Sequence, residues 1–370
     1  MNILVLNWRD IKHPDAGGAE VHFTELFKRL VKKGHTVTLL TTRFKHSQPE
    51  DNQDGIEVLR WGHTYTFNWE APFLIRKLLK KRIYDCIIDD VNKLPFFTPL
   101  WFPHQKSGAF FHHLFGKTVF GLAAFPMAAF VYLMEKIYPV AYRKVPCCTV
   151  SKSTASELIK LGFPEKKLSI IENSVDTNYY FPEPSVKREK DLLLYTGRLK
   201  RYKRVDIIFD AMSVLDRSGL KVRLVIAGSG DDLNRLQTRA KELGLEKRIE
   251  FAGFVSEEKK IELFRKAALF VNTSEKEGWG ITNVEAAACE TPVVANNAPG
   301  LRDSVLDGQT GLLYKENDEY SLAECIEKLL KDNDMRNRFG TQGRQWALKF
   351  SWDSSAEKVE QWLLGIEQGK

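Results

Sequence analysis

Phe270-Val271-Asn272-Thr273-Ser274-Glu275-Lys276-Glu277-Gly278-Trp279-Gly280-Ile281-Thr282-Asn283-Val284-Glu285 is the stretch on which the reading of this chain turns. An apolar strand, Ala268 to Val271, runs into a polar loop bearing Gly278 and Gly280; an Ala-rich turn and Thr291-Pro292-Val293-Val294 follow. A helix is predicted to start near Gly280 and to carry Glu285 about one turn in, at ~1.5 Å of rise per residue. The backbone N–H groups of Gly278 to Val284, Ile281 among them, would stand uncapped beside the positive end of the helix dipole. That arrangement suits an anion, and diphosphate above all. Glu277 and Glu285 flank the site, and because carboxylates repel phosphate they should face hydroxyls. A nucleotide sugar offers a sugar on one side of its diphosphate and a ribose on the other. An ordinary helix start, with acidic residues favouring its dipole, accounts for the same residues.

The chain has 370 residues, too many for one typical domain, so two are expected. Charge is unevenly placed: residues 1–181 hold 24 Lys/Arg against 17 Asp/Glu, and residues 182–370 hold 31 of each. All eight histidines lie at or before His113. A basic first half fits an anionic partner such as a membrane surface, or simply a solvated basic face. A nucleic acid is not expected, because the aromatic segment of that half is apolar rather than interleaved with Arg and Lys. Five cysteines without framework spacing argue for a reduced compartment. The chain opens directly on a strand, leaving no room for a signal peptide. The longest nearly uncharged run, Gly121 to Met134, is shorter than the ~20 residues of a spanning helix, and Pro126 interrupts it. The expectation is a cytoplasmic protein with peripheral contact at the inner face of the membrane.

The first half opens with a strand, Ile3 to Asn7, a long polar loop, then Gly17-Gly18-Ala19-Glu20 and an amphipathic helix, with Val21, Leu26, Leu30 and Val31 on its apolar side, ending at Gly34. His35 to Thr41 is the next strand, so the opening is that of a doubly wound parallel sheet. The loop is too long and the spacing wrong for the dinucleotide fingerprint. Gly17 and Gly18 would let a substrate approach the backbone, or serve a tight helix entry. Further strands are read at Ile56 to Arg60, Tyr84 to Asp89, Ala109 to Phe111, Cys147 to Val150 and Leu168 to Ile171. Trp69 to Arg82 reads as a basic amphipathic helix, suited to an anionic lipid surface or to plain solvent. Asp89-Asp90 ends a strand, where ligand-facing residues gather, but no metal site is expected there. Pro95 to Tyr142 is rich in Phe and contains His112-His113 at a strand end, where a histidine can meet a substrate. The aromatic segment is read as core, a lipid groove or both.

Phe181 to Lys190 is Pro-rich and charged and is taken as the domain boundary. A new sheet begins at Asp191 to Thr196, and Gly197-Arg198 with Lys203 precede a helix from Val205. Arg198, as a bidentate donor, and Lys203, as a point charge, suit a diphosphate clamp; a solvated basic loop is the alternative. Gly228-Ser229-Gly230 is a second strand–glycine turn, and Gly253-Phe254-Val255 a third, where Phe254 or the Val255 backbone could meet a base. Repeated strand–turn–helix order predicts a second Rossmann-like domain.

Taken in order, Gly17-Gly18-Ala19-Glu20, Gly197-Arg198 with Lys203, Glu277 and Glu285, and Asp307-Gly308-Gln309-Thr310-Gly311 resemble family 4 of the retaining, GT-B-fold glycosyltransferases. No single motif is specific; the ordered set spans nearly the whole chain. The resemblance implies an α/β protein of two Rossmann-like doubly wound domains facing across a cleft. Residues 1–181 would be the acceptor side and 182–351 the nucleotide-sugar side, with a last helix, about 352–370, crossing back to the first. It implies that Glu285 binds the ribose, Glu277 the donor sugar, and Arg198 and Lys203 the diphosphate, with amides near Asn283 and Val284. Gly17 and Gly18 would approach the phosphates, and His112 would lie near the transferred sugar, with His113 adjacent and Asp90 on the acceptor side. Asn173-Ser174-Val175-Asp176 departs from the family's usual Asn-Gly, and Trp279 stands where a smaller aromatic is common.

The implied reaction is front-face transfer with retention, from a UDP- or GDP-linked sugar to a glycan or lipid-linked acceptor. The cations and the helix end stabilise the leaving group, so the chemistry needs neither a divalent metal nor a cofactor. A nucleotide-sugar 2-epimerase of the same fold would isomerise the donor without an acceptor. A non-catalytic nucleotide-sugar sensor would bind without turnover.

Overall fold

A computed structural model describes residues 1–91, 94–121 and 124–369. Leu122, Ala123 and Lys370, which fall in stretches read above, lie outside them. The chain forms two compact units, one of Met1–Val119, Ala124–Ser174 and the segment from Trp352 onward, the other principally Val175–Ser351.

In chain order the first unit contains β1 (Asn2–Leu6), α1 (Gly18–Lys32), β2 (Thr36–Thr42), β3 (Glu50–Gln53), β4 (Ile56–Gly62), α2 (Phe67–Leu79) and β5 (Cys86–Val91). Then come α3 (Thr98–Trp101), β6 (Ser107–Phe111), α4 (Phe125–Tyr142), β7 (Cys147–Thr149), α5 (Lys152–Leu161) and β8 (Leu168–Ile170). Its sheet runs β3-β4-β2-β1-β5-β6-β7-β8, parallel throughout except for the β3–β4 pair. Ile3, Leu4, Val5 and Leu6 are all fully buried, as a strand covered on both faces requires. From β1 the chain builds outward on one side, to β2 and β4, and then returns to place β5 on the other. The strand order therefore reverses at β1 and β5, and their carboxyl ends form the ligand-binding edge of such a sheet.

The second unit contains β9 (Glu189–Thr196), α6 (Asp206–Arg217), β10 (Arg223–Ala227), α7 (Leu233–Glu242), β11 (Ile249–Gly253), α8 (Glu257–Lys266) and β12 (Ala267–Asn272). It continues with α9 (Ile281–Ala288), β13 (Val293–Asn296), α10 (Leu301–Ser304), β14 (Gly311–Tyr314), α11 (Glu319–Lys331) and α12 (Asn333–Ala347). Its sheet, β11-β10-β9-β12-β13-β14, is wholly parallel and reverses order at β9 and β12. The final helix, α13 (Trp352–Glu367), packs on α1 in the first unit.

Three details differ from the sequence reading. Pro126 does not interrupt a helix; it stands in the first turn of α4, where its missing N–H costs nothing. Strand β3 was not anticipated, since Glu50-Asp51-Asn52-Gln53 is polar. It is made by pairing with β4 through Asp54 and Gly55, both at positive φ (53° and 85°), as a tight hairpin turn demands. The buried face of α1 carries Phe23, Leu26, Phe27 and Leu30, together with His22, rather than Val21 and Val31. All five cysteines are free thiols, and burial pushes the Cys86 and Cys289 thiols up to about 12.

Candidate active site

The carboxyl ends of β9 and β12 bring the clamp and the opening stretch together in the second unit. Beyond β9 the backbone runs tight against β10: Gly197 N donates to Ala227 O (3.0 Å) and Leu199 N to Ser229 O (2.9 Å). A Cβ on Gly228 would collide with the Gly197 carbonyl and one on Gly230 with that of Leu199, so these glycines permit backbone contact. The loop after Gly197 is then pinned to the end of β12, Glu275 N donating to Tyr202 O (2.9 Å) and Thr273 Oγ1 to Lys203 O (2.7 Å).

On this frame the Lys203 ammonium bonds the Glu277 carboxylate, both largely buried. Burial works against the Lys203 charge, but Glu277, with Tyr202 and Tyr195, outweighs it and holds the ammonium's pKa above its ordinary value. Arg198 is exposed, and among the described residues its guanidinium has no hydrogen-bond or ion-pair partner. Gly280 caps α9 in the left-handed region (φ 79°), with no side chain satisfying the first turn. Gly300 (φ 82°) lets its loop lie directly on the backbone of Glu277 and Gly278. Beneath the turn, Asn272 Nδ2 donates to Asn283 Oδ1 (2.9 Å) and Asn283 Nδ2 to Ser304 Oγ (2.9 Å). The Thr196 and Ser274 hydroxyls, at the ends of the two neighbouring strands, are buried without a partner among the described residues. Cations, bare amides and unsatisfied hydroxyls thus converge where the strand order reverses, a constellation suited to an anion.

Glu285 lies farther along α9 and is buried. Burial raises its pKa, against the pull of Lys260, whose Nζ stands 3.3 Å from Oε1 and 3.2 Å from Oε2. Lys260 also reaches Glu257 (3.0 Å) and lies over the Tyr180 ring (5.2 Å), and Tyr180 donates to Glu257. Sequence reading missed Lys260 and Tyr180. Both come from segments without a motif, and only the fold brings them to Glu285. Trp279 is buried with its ring 5.2 Å from that of Phe350, whereas Phe254 is 88% exposed and Val255 half-buried. Asp307 to Gly311 forms the turn that starts β14, Asp307 Oδ1 accepting from Leu313 N (2.9 Å).

In the first unit a second constellation occupies the ends of β1, β5 and β6. Asn7 Nδ2 donates to Asp90 Oδ2 (2.6 Å), and the His112 Nε2 lies 2.6 Å from Asp90 Oδ1. All three residues are buried. The His22 ring meets that of His112 edge-on at 5.2 Å; burial, then His112, pushes its pKa well below the ordinary value. His113 is turned to Phe115 instead (4.9 Å). Gly17 N donates to Glu20 Oε2 (2.7 Å), closing the start of α1. A Cβ at Gly18 would meet nothing within 4 Å, so packing does not demand glycine there. The loop before it is held by Asp10, which pairs with the buried Arg60 (2.7 Å). Among the described residues no group of three His, Cys, Asp or Glu side chains is arranged to hold a metal ion.

Comparison with known proteins bears on the family and the fold. The family model for glycosyl transferases group 1 matches residues 177–346, and that for Glycosyltransferase Family 4 matches residues 16–179. An uncharacterized glycosyltransferase of Methanocaldococcus jannaschii is 27% identical, over 99% of this chain and 99% of its own. Sucrose-phosphate synthase from Thermosynechococcus elongatus superposes with a TM-score of 0.83 at 20% identity, covering 97% of each chain. HepE of Anabaena, solved in complex with UDP-glucose, gives 0.77 at 19% identity over 98% of each chain. The likeness to these two structures is one of fold, two parallel-sheet α/β domains of the GT-B type. With family models matching in sequence across both units, the chain belongs to the group 1, family 4 glycosyltransferases.

Proposed function

We propose that this glycosyltransferase moves a hexose from a UDP- or GDP-linked donor to a glycan or lipid-linked acceptor, with retention at the anomeric carbon, at the cytoplasmic face of a membrane. The observation that carries the donor reading is Arg198, an exposed guanidinium without a partner among the described residues, in the same pinned loop as the Lys203–Glu277 pair. Arg198 would grip the diphosphate bidentately, and Lys203 would be shared between it and Glu277. The amides of α9's first turn would take the remaining oxygens. As the glycosidic bond breaks, charge gathers on the diphosphate, and groups already fixed around it stabilise that charge without reorganising.

Glu277 would orient the donor sugar, and Glu285, kept in place by Lys260, the ribose hydroxyls. Phe254 and Val255 remain the candidates for the base. Gly17 and Gly18 would admit the phosphates close to the start of α1. His112, held by Asp90 and Asn7, would bond the transferred sugar. On this reading the leaving diphosphate oxygen helps to take the acceptor proton, and Glu277 binds rather than attacks.

The test is a thermal-shift panel of UDP- and GDP-linked sugars, since a ligand that binds only the folded state raises the melting temperature by mass action. One donor should stabilise the chain strongly and others weakly; no shift with any of them would remove the donor site. Turnover of that donor without acceptor, giving its 2-epimer, would replace transfer by isomerisation. Binding without turnover would make the chain a sensor.

A further inference from the structure

The described residues leave one face of helix α4 uncovered. Phe130, Leu133, Ile137 and Val140 recur at helical spacing and are 47%, 60%, 44% and 65% exposed. The opposite side, with Ala128, Glu135, Tyr138, Ala141 and Tyr142, is buried. Glu135, the helix's one acidic residue, is turned inward and accepts from Phe115 N (2.6 Å) and Gly116 N (2.8 Å). Lys136, Arg143 and Lys144 edge the open face.

The neighbouring helices repeat the pattern. On α2, Trp69 and Phe73 are 76% and 69% exposed beside Arg76, Lys77 and Lys80, and α3 adds Leu100 and Trp101. The crossovers from β4 to β5, β5 to β6 and β6 to β7 all advance the same way along the sheet. Right-handed connections therefore put α2, α3 and α4 on one face, opposite α1. Throughout residues 64–146 every described Lys and Arg is exposed, and no described Asp or Glu is.

We propose that this face of the first unit docks on an anionic phospholipid bilayer. Phe130, Leu133, Ile137 and Val140 enter the boundary between headgroups and acyl chains, and the surrounding Lys and Arg meet lipid phosphates. Charge chooses the occupant. A second copy of the face would bring two cationic rims together, and a nucleic acid would have no use for the apolar centre. No described helix is long and apolar enough to cross a membrane, so α4 lies in the interface plane. The proposal deepens the reading of a lipid-linked acceptor, on which it rests for its purpose.

The experiment is sedimentation of the full chain with vesicles of phosphatidylcholine alone and of equal parts phosphatidylcholine and phosphatidylglycerol, at low and high salt. Binding should require phosphatidylglycerol and weaken with salt. Arg143→Gln with Lys144→Gln should weaken it about fivefold per cation, the worth of one Lys or Arg at an anionic surface. Leu133→Ser with Ile137→Ser, at exposed positions, should lower it at least as much and leave the donor-induced thermal shift unchanged. Binding that ignores phosphatidylglycerol, or that both double variants retain in full, overturns the proposal. So does a dimer in ultracentrifugation that the Leu133→Ser, Ile137→Ser variant dissolves. A thermal shift without vesicle binding would sink the docking face alone; vesicle binding without a shift would sink the donor reading alone.

Discussion

Arg198 and Lys203 sit five positions apart in one loop, yet the fold treats them differently. Arg198 is exposed and has no partner among the described residues, so Arg198→Ala should change unfolding free energy by no more than about 0.5 kcal/mol, as exposed substitutions do. Under the proposed function the same change should lower kcat by ~10²–10³, the cost of losing one preorganised group that meets developing charge. Urea denaturation and steady-state kinetics on one preparation check both halves, and near-normal transfer would remove Arg198 from the clamp. Both cations were legible from their position between a strand and a helix. The environment of Glu285 was not. Its cation, Lys260, stands in α8, where a run of Glu and Lys reads as a solvated surface. Only the fold, which brings Lys260 and Tyr180 to Glu285, turns that surface inward. The Asn272–Asn283–Ser304 chain was hidden for the same reason, since a buried amide network has no spacing of its own in the sequence.

Glycines that look alike in the sequence do opposite things in the elements they join. Gly228 sits where β9 and β10 run backbone on backbone, and the atom a Cβ would strike is a carbonyl that cannot step aside. Gly228→Ala should therefore destabilise by roughly 1–3 kcal/mol or more, the range for overpacked sites. Gly18 opens α1 with free space around it and no positive φ. Gly18→Ala should leave stability unchanged or raise it by roughly 0.5–1 kcal/mol through helix propensity. Loss of donor turnover in that stable variant would separate ligand approach from helix entry, the two readings that the sequence left level. Asp89 fastens three elements, accepting from Thr98 N (3.1 Å) and Thr98 Oγ1 at α3 and from the Tyr142 hydroxyl at the end of α4. Burial, the largest influence, pushes its carboxyl up to about 6. A raised carboxyl contributes stability that is complete below the unfolded value, 3.8, and is lost as pH rises through about 6. Between pH 4 and 7 the stability of Asp89→Asn relative to the parent should thus improve by roughly 2 kcal/mol, near 1.4 kcal/mol per pKa unit. Chemical denaturation across that range reads the slope directly. The strands themselves were legible because those covered on both faces are apolar runs. Hairpin strand β3 was not, although Asp54-Gly55 is the residue pair that its turn requires.

Across the whole molecule the chain leaves the first unit at Ser174, builds the second, and returns at Trp352 to finish the first. The order of strands and helices, and hence the two-sheet class, could be read from alternating apolar runs and glycine turns. The point of division could not. Residues 181–190 have a linker's composition, yet the second unit already begins at Val175, with the Tyr180 ring 6.4 Å from Phe264 and Arg188 donating to Ala267 O (2.9 Å) and Thr291 Oγ1 (2.9 Å). The returning helix is integral to the first core. A Cβ on Gly108 of β6 would come within 2.7 Å of Ile366 and 2.8 Å of Trp362, so α13 lies directly on the sheet. Trp362 also meets the Phe110 ring edge-on at 6.2 Å. Trp362→Ala should therefore cost the first unit ~3–5 kcal/mol, as large aromatic truncations in cores do. Hydrogen exchange can localise the loss. The slowest amides of β1, β5 and β6 should exchange at least a hundredfold faster, given tenfold per 1.4 kcal/mol, while those of β9, β10 and β12 keep their protection. Equal acceleration in both sheets would mean that the units open as one cooperative body. In that case a change in α13 would reach Arg198, Lys203 and Glu277, the residues proposed for the donor, through stability alone, with donor affinity falling in step with the melting temperature.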